Sequence, residues 1–202
     1  MSSRECQKLD WDNHKIQCNE TGRRAEEISR ALNVDPPTTV PTTAREINDA
    51  LVRWIELQRP IIILSSIHAL RLQSTPERCF SDVFVITLKS NFSNLVNSPT
   101  TSFLVEYAHT QSLESFFGDR SSSYRLMDEQ LLVQSRDIRA DGGFGIVMIA
   151  INVPQFSQSH TLPFACTKAV MPELSCMKWN SHWKQHLMDT VASGLIGLAP
   201  DV

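Results

Sequence analysis

Apolar residues recur at helical spacing just after residue 43, at strand spacing through the middle of the chain, and at helical spacing again near its end. Thr43 to Glu46 has the form of a capping box, and Ile47, Leu51, Trp54 and Ile55 follow on one helical face. Pro60 is expected to stop or restart that helix, because it has no N–H to donate and its ring crowds the preceding turn. The apolar pattern resumes from Ile61 to Leu72 through Leu64, Ile67 and Leu70, so two helices should supply one wall of the core. Then the period changes. Val83-Phe-Val-Ile-Thr-Leu88 predicts a buried strand, Asn91 to Ser102 a polar loop, and Ser102 to Tyr107 and Leu131 to Ile138 two further strands. Gly145 to Asn152, preceded by the turn signal Asp141-Gly-Gly143, is the clearest strand pattern. Leu174 to Leu195 predicts a closing amphipathic helix, with Trp179, Trp183, Leu187 and Val191 at every fourth residue. Helices first, strands in the middle and a helix last predict an α+β domain over residues 44–202.

Upstream of residue 43 the pattern is polar. Residues 3–18 carry Leu9, Trp11 and Ile16 as their large apolar side chains and otherwise favour helix, with Ser3 placed to cap it. So short and hydrophilic a helix needs something besides its own apolar content to hold it. A second helical stretch, Thr21 to Leu32, places Ala25, Ile28 and Leu32 on one face. Asp35-Pro-Pro-Thr-Thr-Val-Pro-Thr-Thr43 favours an extended linker. The expected organisation is therefore residues 1–18, a helix and linker over 19–43, and the α+β domain.

Composition narrows the function classes. The chain has 202 residues, 19 basic against 22 acidic, for a net charge of -3. That balance lacks the cationic excess that nucleic acid or an acidic membrane surface would need. No apolar run approaches the roughly 18 residues of a membrane span, and the opening residues lack the apolar stretch of a secretory signal. An intracellular protein, cytoplasmic or nuclear, is expected. The five cysteines, Cys6, Cys18, Cys79, Cys166 and Cys176, are an odd set. In a reducing compartment they serve as core thiols, metal ligands or nucleophiles.

The sharpest chemical signal is Cys6-Gln-Lys-Leu-Asp10-Trp11-Asp-Asn-His14-Lys15-Ile-Gln-Cys18. Thiolates and imidazole are the preferred ligands of structural zinc, which takes four in a closed tetrahedron. His14 and Cys18 lie one helical turn apart and can reach one ion. Cys6 precedes His14 by eight residues, about 12 Å along a continuous helix, so the two serve different ions unless the helix breaks. The order Cys6, Gln7, Asp10, Trp11, His14, Lys15, Cys18 closely resembles the last half of a MYND-type zinc finger. The resemblance implies two interleaved zinc ions, with Cys6 serving one and His14 and Cys18 the other. It also implies a groove for short proline-containing peptides and a non-enzymatic adaptor role in which zinc fixes the backbone. This sequence departs from the pattern at Ser2, where the family has a cysteine four residues before Cys6. The upstream cysteine pairs would precede Met1, so the finger is expected to be incomplete in this chain. Distant thiols, Cys79, Cys166 or Cys176, are a minor alternative source of ligands.

Other motifs carry less. His182-x3-His186 has metal-ligand spacing but no intervening glutamate, and reads as a flank of the Trp179/Trp183/Leu187 stripe. Gly142-Gly-Phe-Gly145 lacks the Lys-Ser/Thr of a phosphate loop and reads as a hairpin turn. Asn19-Glu-Thr21 and Asn91-Phe-Ser93 match glycosylation acceptors without a secretory context. Many MYND proteins are SET-domain methyltransferases, yet their Asn-His-Ser-Cys-type segment is not found; the nearest string is Asn180-Ser-His182. The region after the finger is similar, in general character, to the uncharacterised C-terminal regions that follow MYND fingers in fungal proteins. Two alternatives stand beside the adaptor reading. One is an enzyme built on Cys166 with His160 or His182; the other is a domain that serves only as scaffold or oligomerisation unit.

Overall fold

The computed structural model describes residues 41, 43–92, 98–118 and 122–196, with backbone alone for 122–129. The helices expected over 3–18 and 21–32, most of the Pro/Thr linker, and the metal candidates Cys6, His14 and Cys18 lie outside the described residues.

The first described helix, α1, runs Ala44–Leu70 and opens with the capping box. The Glu46 N–H donates to Thr43 Oγ1 at 3.2 Å, and the Thr43 N–H donates to Glu46 Oε2 at 3.0 Å. Pro60 sits inside this single helix and breaks nothing. An internal proline costs a helix about 3 kcal/mol. Here both halves bury the same side of the helix: Leu51, Trp54 and Leu57 before the proline, Ile61, Ile62 and Leu70 after it, all 3% exposed or less. Each such side chain contributes roughly 1.5–3 kcal/mol, so tertiary burial outweighs the local defect.

Four strands form one mixed sheet in the order β2-β1-β3-β4. They are β1 Asp82–Ser90, β2 Phe103–Ser112, β3 Gly145–Val153 and β4 Gln158–Cys166. β1 pairs parallel with β3, while β2 and β4 pair antiparallel at the edges. The fold is α+β, as the order of patterns predicts. The central strands are apolar on both faces because both faces are covered. Phe84, Ile86, Leu88, Val147, Ile149 and Ile151 join the core that α1 and the C-terminal helix close. Val83, Val85, Met148 and Ala150 point the other way, toward Leu113, Phe116, Leu131 and Leu132. Those last four belong to α2, Leu113–Gly118, and α3, Ser122–Ala140, which lead from β2 to β3.

Three further differences from the expectations each have a physical reason. Leu131 to Ile138 is helical: Leu131, Leu132, Ser135 and Ile138 recur at helical spacing toward the sheet, while Val133 is 48% exposed. β4 has no counterpart in the sequence expectations. It is an edge strand, half apolar, and carries Pro163 opposite Met148, a residue that only an edge tolerates. The closing helix is two helices, α4 Met171–Cys176 and α5 Trp183–Ala192, separated by residues 177–182. Trp183, Leu187 and Val191 keep their places on α5, whereas Trp179 lies before it.

Candidate functional site

The domain offers three places where chemistry could reside. The first surrounds Cys79 and Cys166. Cys79 stands in a single 3-10 stretch, Pro76–Phe80, and donates its thiol proton to the Phe144 carbonyl at 3.1 Å. Cys166 ends β4, opposite Gly145, and its carbonyl accepts the Phe144 N–H at 2.8 Å. Both side chains are buried. Burial pushes each thiol up to about 12, with Cys166 adding to the effect at Cys79. A nucleophilic cysteine needs the opposite environment, exposed and electropositive. His160, the expected partner of Cys166, lies six residues away on the same strand, about 20 Å at strand rise. His182 begins α5 and is exposed. No imidazole perturbs the Cys166 thiol. These residues are core thiols, and the hydrolase built on Cys166 has no support in the geometry.

The second place is the glycine-rich joint between α3 and β3. It is a helix-to-strand connection rather than the expected hairpin turn. The Gly142 and Gly143 amides donate to the Arg139 and Ile138 carbonyls at 3.0 and 2.9 Å, which closes the end of α3. Gly145 has φ +114°, and a side chain there would run into Ser135 Oγ. That hydroxyl accepts the Ile146 N–H at 2.9 Å and is itself buried. The amides and the space that a phosphate loop would offer are taken by the protein's own atoms.

The third place is the C-terminal end of α1. His68 is 6% exposed, and three long-range or cap contacts converge on it. Its Nδ1 lies 2.7 Å from Gln73 Nε2 and accepts the Asn180 backbone N–H at 3.3 Å. Its carbonyl accepts the Trp179 indole N–H at 3.0 Å, supplying a partner to one of the last carbonyls of the helix. The Arg71 guanidinium lies 4.2 Å above the Trp179 ring, and Arg71 itself takes φ 54° as the helix cap. Burial, with a contribution from His186, holds His68 below its ordinary value. Burial alone does the same to His160. Nothing local in the sequence marks His68 as special, since its partners lie 111 and 112 residues away.

His182 and His186 stand on the exposed flank of α5 beside buried Leu187, the placement their stripe predicts. Among the described residues no group of three histidine, cysteine or acidic side chains is placed to hold a metal ion. Nor is any described helix long and apolar enough to cross a membrane. No family model, no curated protein and no solved structure matches this chain.

Proposed function

We propose that the chain is a zinc-binding, finger-derived adaptor, with recognition carried by residues 1–18 and the α+β domain serving as the body on which they are mounted. The observation that carries this reading is the frame Cys6, Gln7, Asp10, Trp11, His14, Lys15, Cys18. Its donors, two thiols and an imidazole, suit zinc over harder cations. When bound, zinc acts as a structural cross-link and performs no reaction. The chain's own part is to deliver deprotonated Cys6 and Cys18 and a neutral His14 at the right positions, since protonated forms do not ligate. Partners are proteins presenting short proline-containing segments. Cys79 and Cys166, buried with their thiols raised to about 12, are unfit as nucleophiles, which weakens the alternative of an enzyme built on Cys166.

The two ions lack a full set of four donors from residues 1–18. Of the thiols available elsewhere, Cys79 and Cys166 are buried, whereas Cys176 at the end of α4 is exposed and free. The test is zinc stoichiometry on the purified full chain, read with a colorimetric chelator after thiol modification. Zinc that co-purifies with the chain and is diminished in Cys18→Ser supports the reading. A metal-free chain that is unaltered by Cys18→Ser removes it.

A further inference from the structure

We propose that His68 is a proton-operated latch: a proton on Nδ1 expels the Asn180 amide and lifts Trp179 and Asn180 from the end of α1. The starting point is a hydrogen bond whose direction is unambiguous. A backbone amide can only donate, so the Asn180 N–H facing Nδ1 at 3.3 Å requires a lone pair on that nitrogen. The proton of the neutral ring therefore sits on Nε2, and Gln73 presents its NH2 group to Nδ1 at 2.7 Å.

That orientation leaves the other end of the Gln73 amide, Oε1, buried with no hydrogen-bond partner. The arrangement thus has a second state within reach. When solvent delivers a proton to Nδ1, the Gln73 amide turns over and its carbonyl accepts the new N–H. Gln73 gains the partner it lacks, while Asn180 does not. Its amide is fixed in the backbone, cannot turn over, and now faces an N–H across a short gap. The donor is left facing an N–H in a part-buried position, which favours departure of the segment that carries it.

The segment is anchored at its two ends, by Met177 packed on the core and by Asn180, whose Oδ1 and carbonyl accept the His182 and Trp183 amides, and its middle is held to α1 by few bonds. Trp179 is 45% exposed and is tied to α1 by its indole N–H and by Arg71 above its ring. α5 stays seated, because Leu187 and Val191 are fully buried and Trp183 meets Phe84 edge-on at 5.5 Å. Release is therefore local: it takes the indole donor from the His68 carbonyl, which keeps the Arg71 amide, and frees the Trp179 ring. Arg71 stands at the cap of α1, Lys178 and His182 on the segment, and Lys184, His186 and Asp189 on α5. His186 is the one that acts on His68 electrostatically, and no carboxylate does so. Burial, with His186 adding to it, keeps His68 neutral in the closed state, and opening lets it charge.

The experiment uses the full chain. Nitrogen shifts of the His68 ring report its tautomer, and hydrogen exchange of the Trp179 indole and Asn180 amide, corrected for intrinsic rate, reports opening between about pH 5 and 8. The expected ring at pH 8 carries its proton on Nε2. Opening should rise about tenfold for each pH unit below the ordinary histidine value, until the closed-state value is passed. His68→Gln, which cannot take up the proton, should show a flat profile. His186→Gln, which removes a neighbour that holds the closed-state value down, should level off at higher pH and open less in total. A proton on Nδ1 at pH 8, or a His68→Gln profile that follows the wild type, overturns the latch. Should His68→Gln not fold, the wild-type tautomer and the pH at which His186→Gln levels off decide the matter, and an unmoved plateau contradicts it.

Discussion

Two buried corners of this domain hold titratable groups, and they solve the problem of burial in opposite ways. At one, Cys79 and Cys166 are surrounded by apolar core and by backbone from the joint before β3. Their protons stay on, and the corner is inert. At the other, His68 is buried among donors drawn from two distant parts of the chain. Its ring stays neutral only while those donors are arranged around an acceptor. A thiol is a small apolar group that needs no partner, whereas an imidazole brings two nitrogens that must both be accommodated. The first corner therefore depends on packing, and the second on a hydrogen-bond pattern that one proton reverses.

The comparison can be broken most forcefully at the packing corner. Gly145→Ala places a methyl group at φ +114° and into Ser135 Oγ, which also holds the Ile146 amide. Strain and displacement together should cost about 2–4 kcal/mol, read as a lower urea midpoint. A value within about 0.5 kcal/mol of wild type, the spread of neutral surface changes, would show that the joint is loose.

A smaller effect separates the corners by pH. The thiols sit at about 12 in the folded chain against an ordinary 9.0. Their folded-state values are raised, so the stability they contribute is complete below pH 9 and drains away as pH climbs toward 12. Each should cost about 1.4 kcal/mol per pH unit within that window. Cys166→Ala should flatten the alkaline decline by its share, measured by urea unfolding at neutral and alkaline pH. His68 and His160 act at the other end. Their values are lowered from 6.5, so their contribution is whole above pH 6.5 and is lost as pH falls through the folded values. An alkaline decline unchanged in Cys166→Ala would place the titrating group elsewhere.

Much of the fold is legible in the sequence where one physical rule acts alone. The capping box at Thr43, the double-sided apolar runs of β1 and β3, and the stripe through Leu187 and Val191 all appear in their expected places. Legibility fails where a tertiary term overrides a local one. Pro60 reads as a break because its local cost is visible in the sequence and the burial on both sides of it is not. Leu131 to Ile138 reads as a strand because an apolar pair followed by valine imitates one, although the recurrence at Ser135 and Ile138 follows a helix. β4 escapes notice because an edge strand needs only half an apolar pattern. The candidate metal residues rest on the resemblance carried by Cys6 to Cys18 and lie outside the described residues, and the His68 corner is not legible in the sequence, since it exists only after residues more than a hundred positions apart have met.

The central claim is that metal chemistry belongs to residues 1–18 while the domain's own core thiols are closed to solvent. Timed thiol modification of the native full chain, with and without zinc and with each modified cysteine mapped by mass, tests both parts at once. The expected result is rapid labelling of Cys176, Cys6 and Cys18 without metal, slowing of Cys6 and Cys18 when zinc is added, and protection of Cys79 and Cys166 throughout. Rapid labelling of Cys166, or labelling of Cys6 and Cys18 that zinc leaves unchanged, would contradict it.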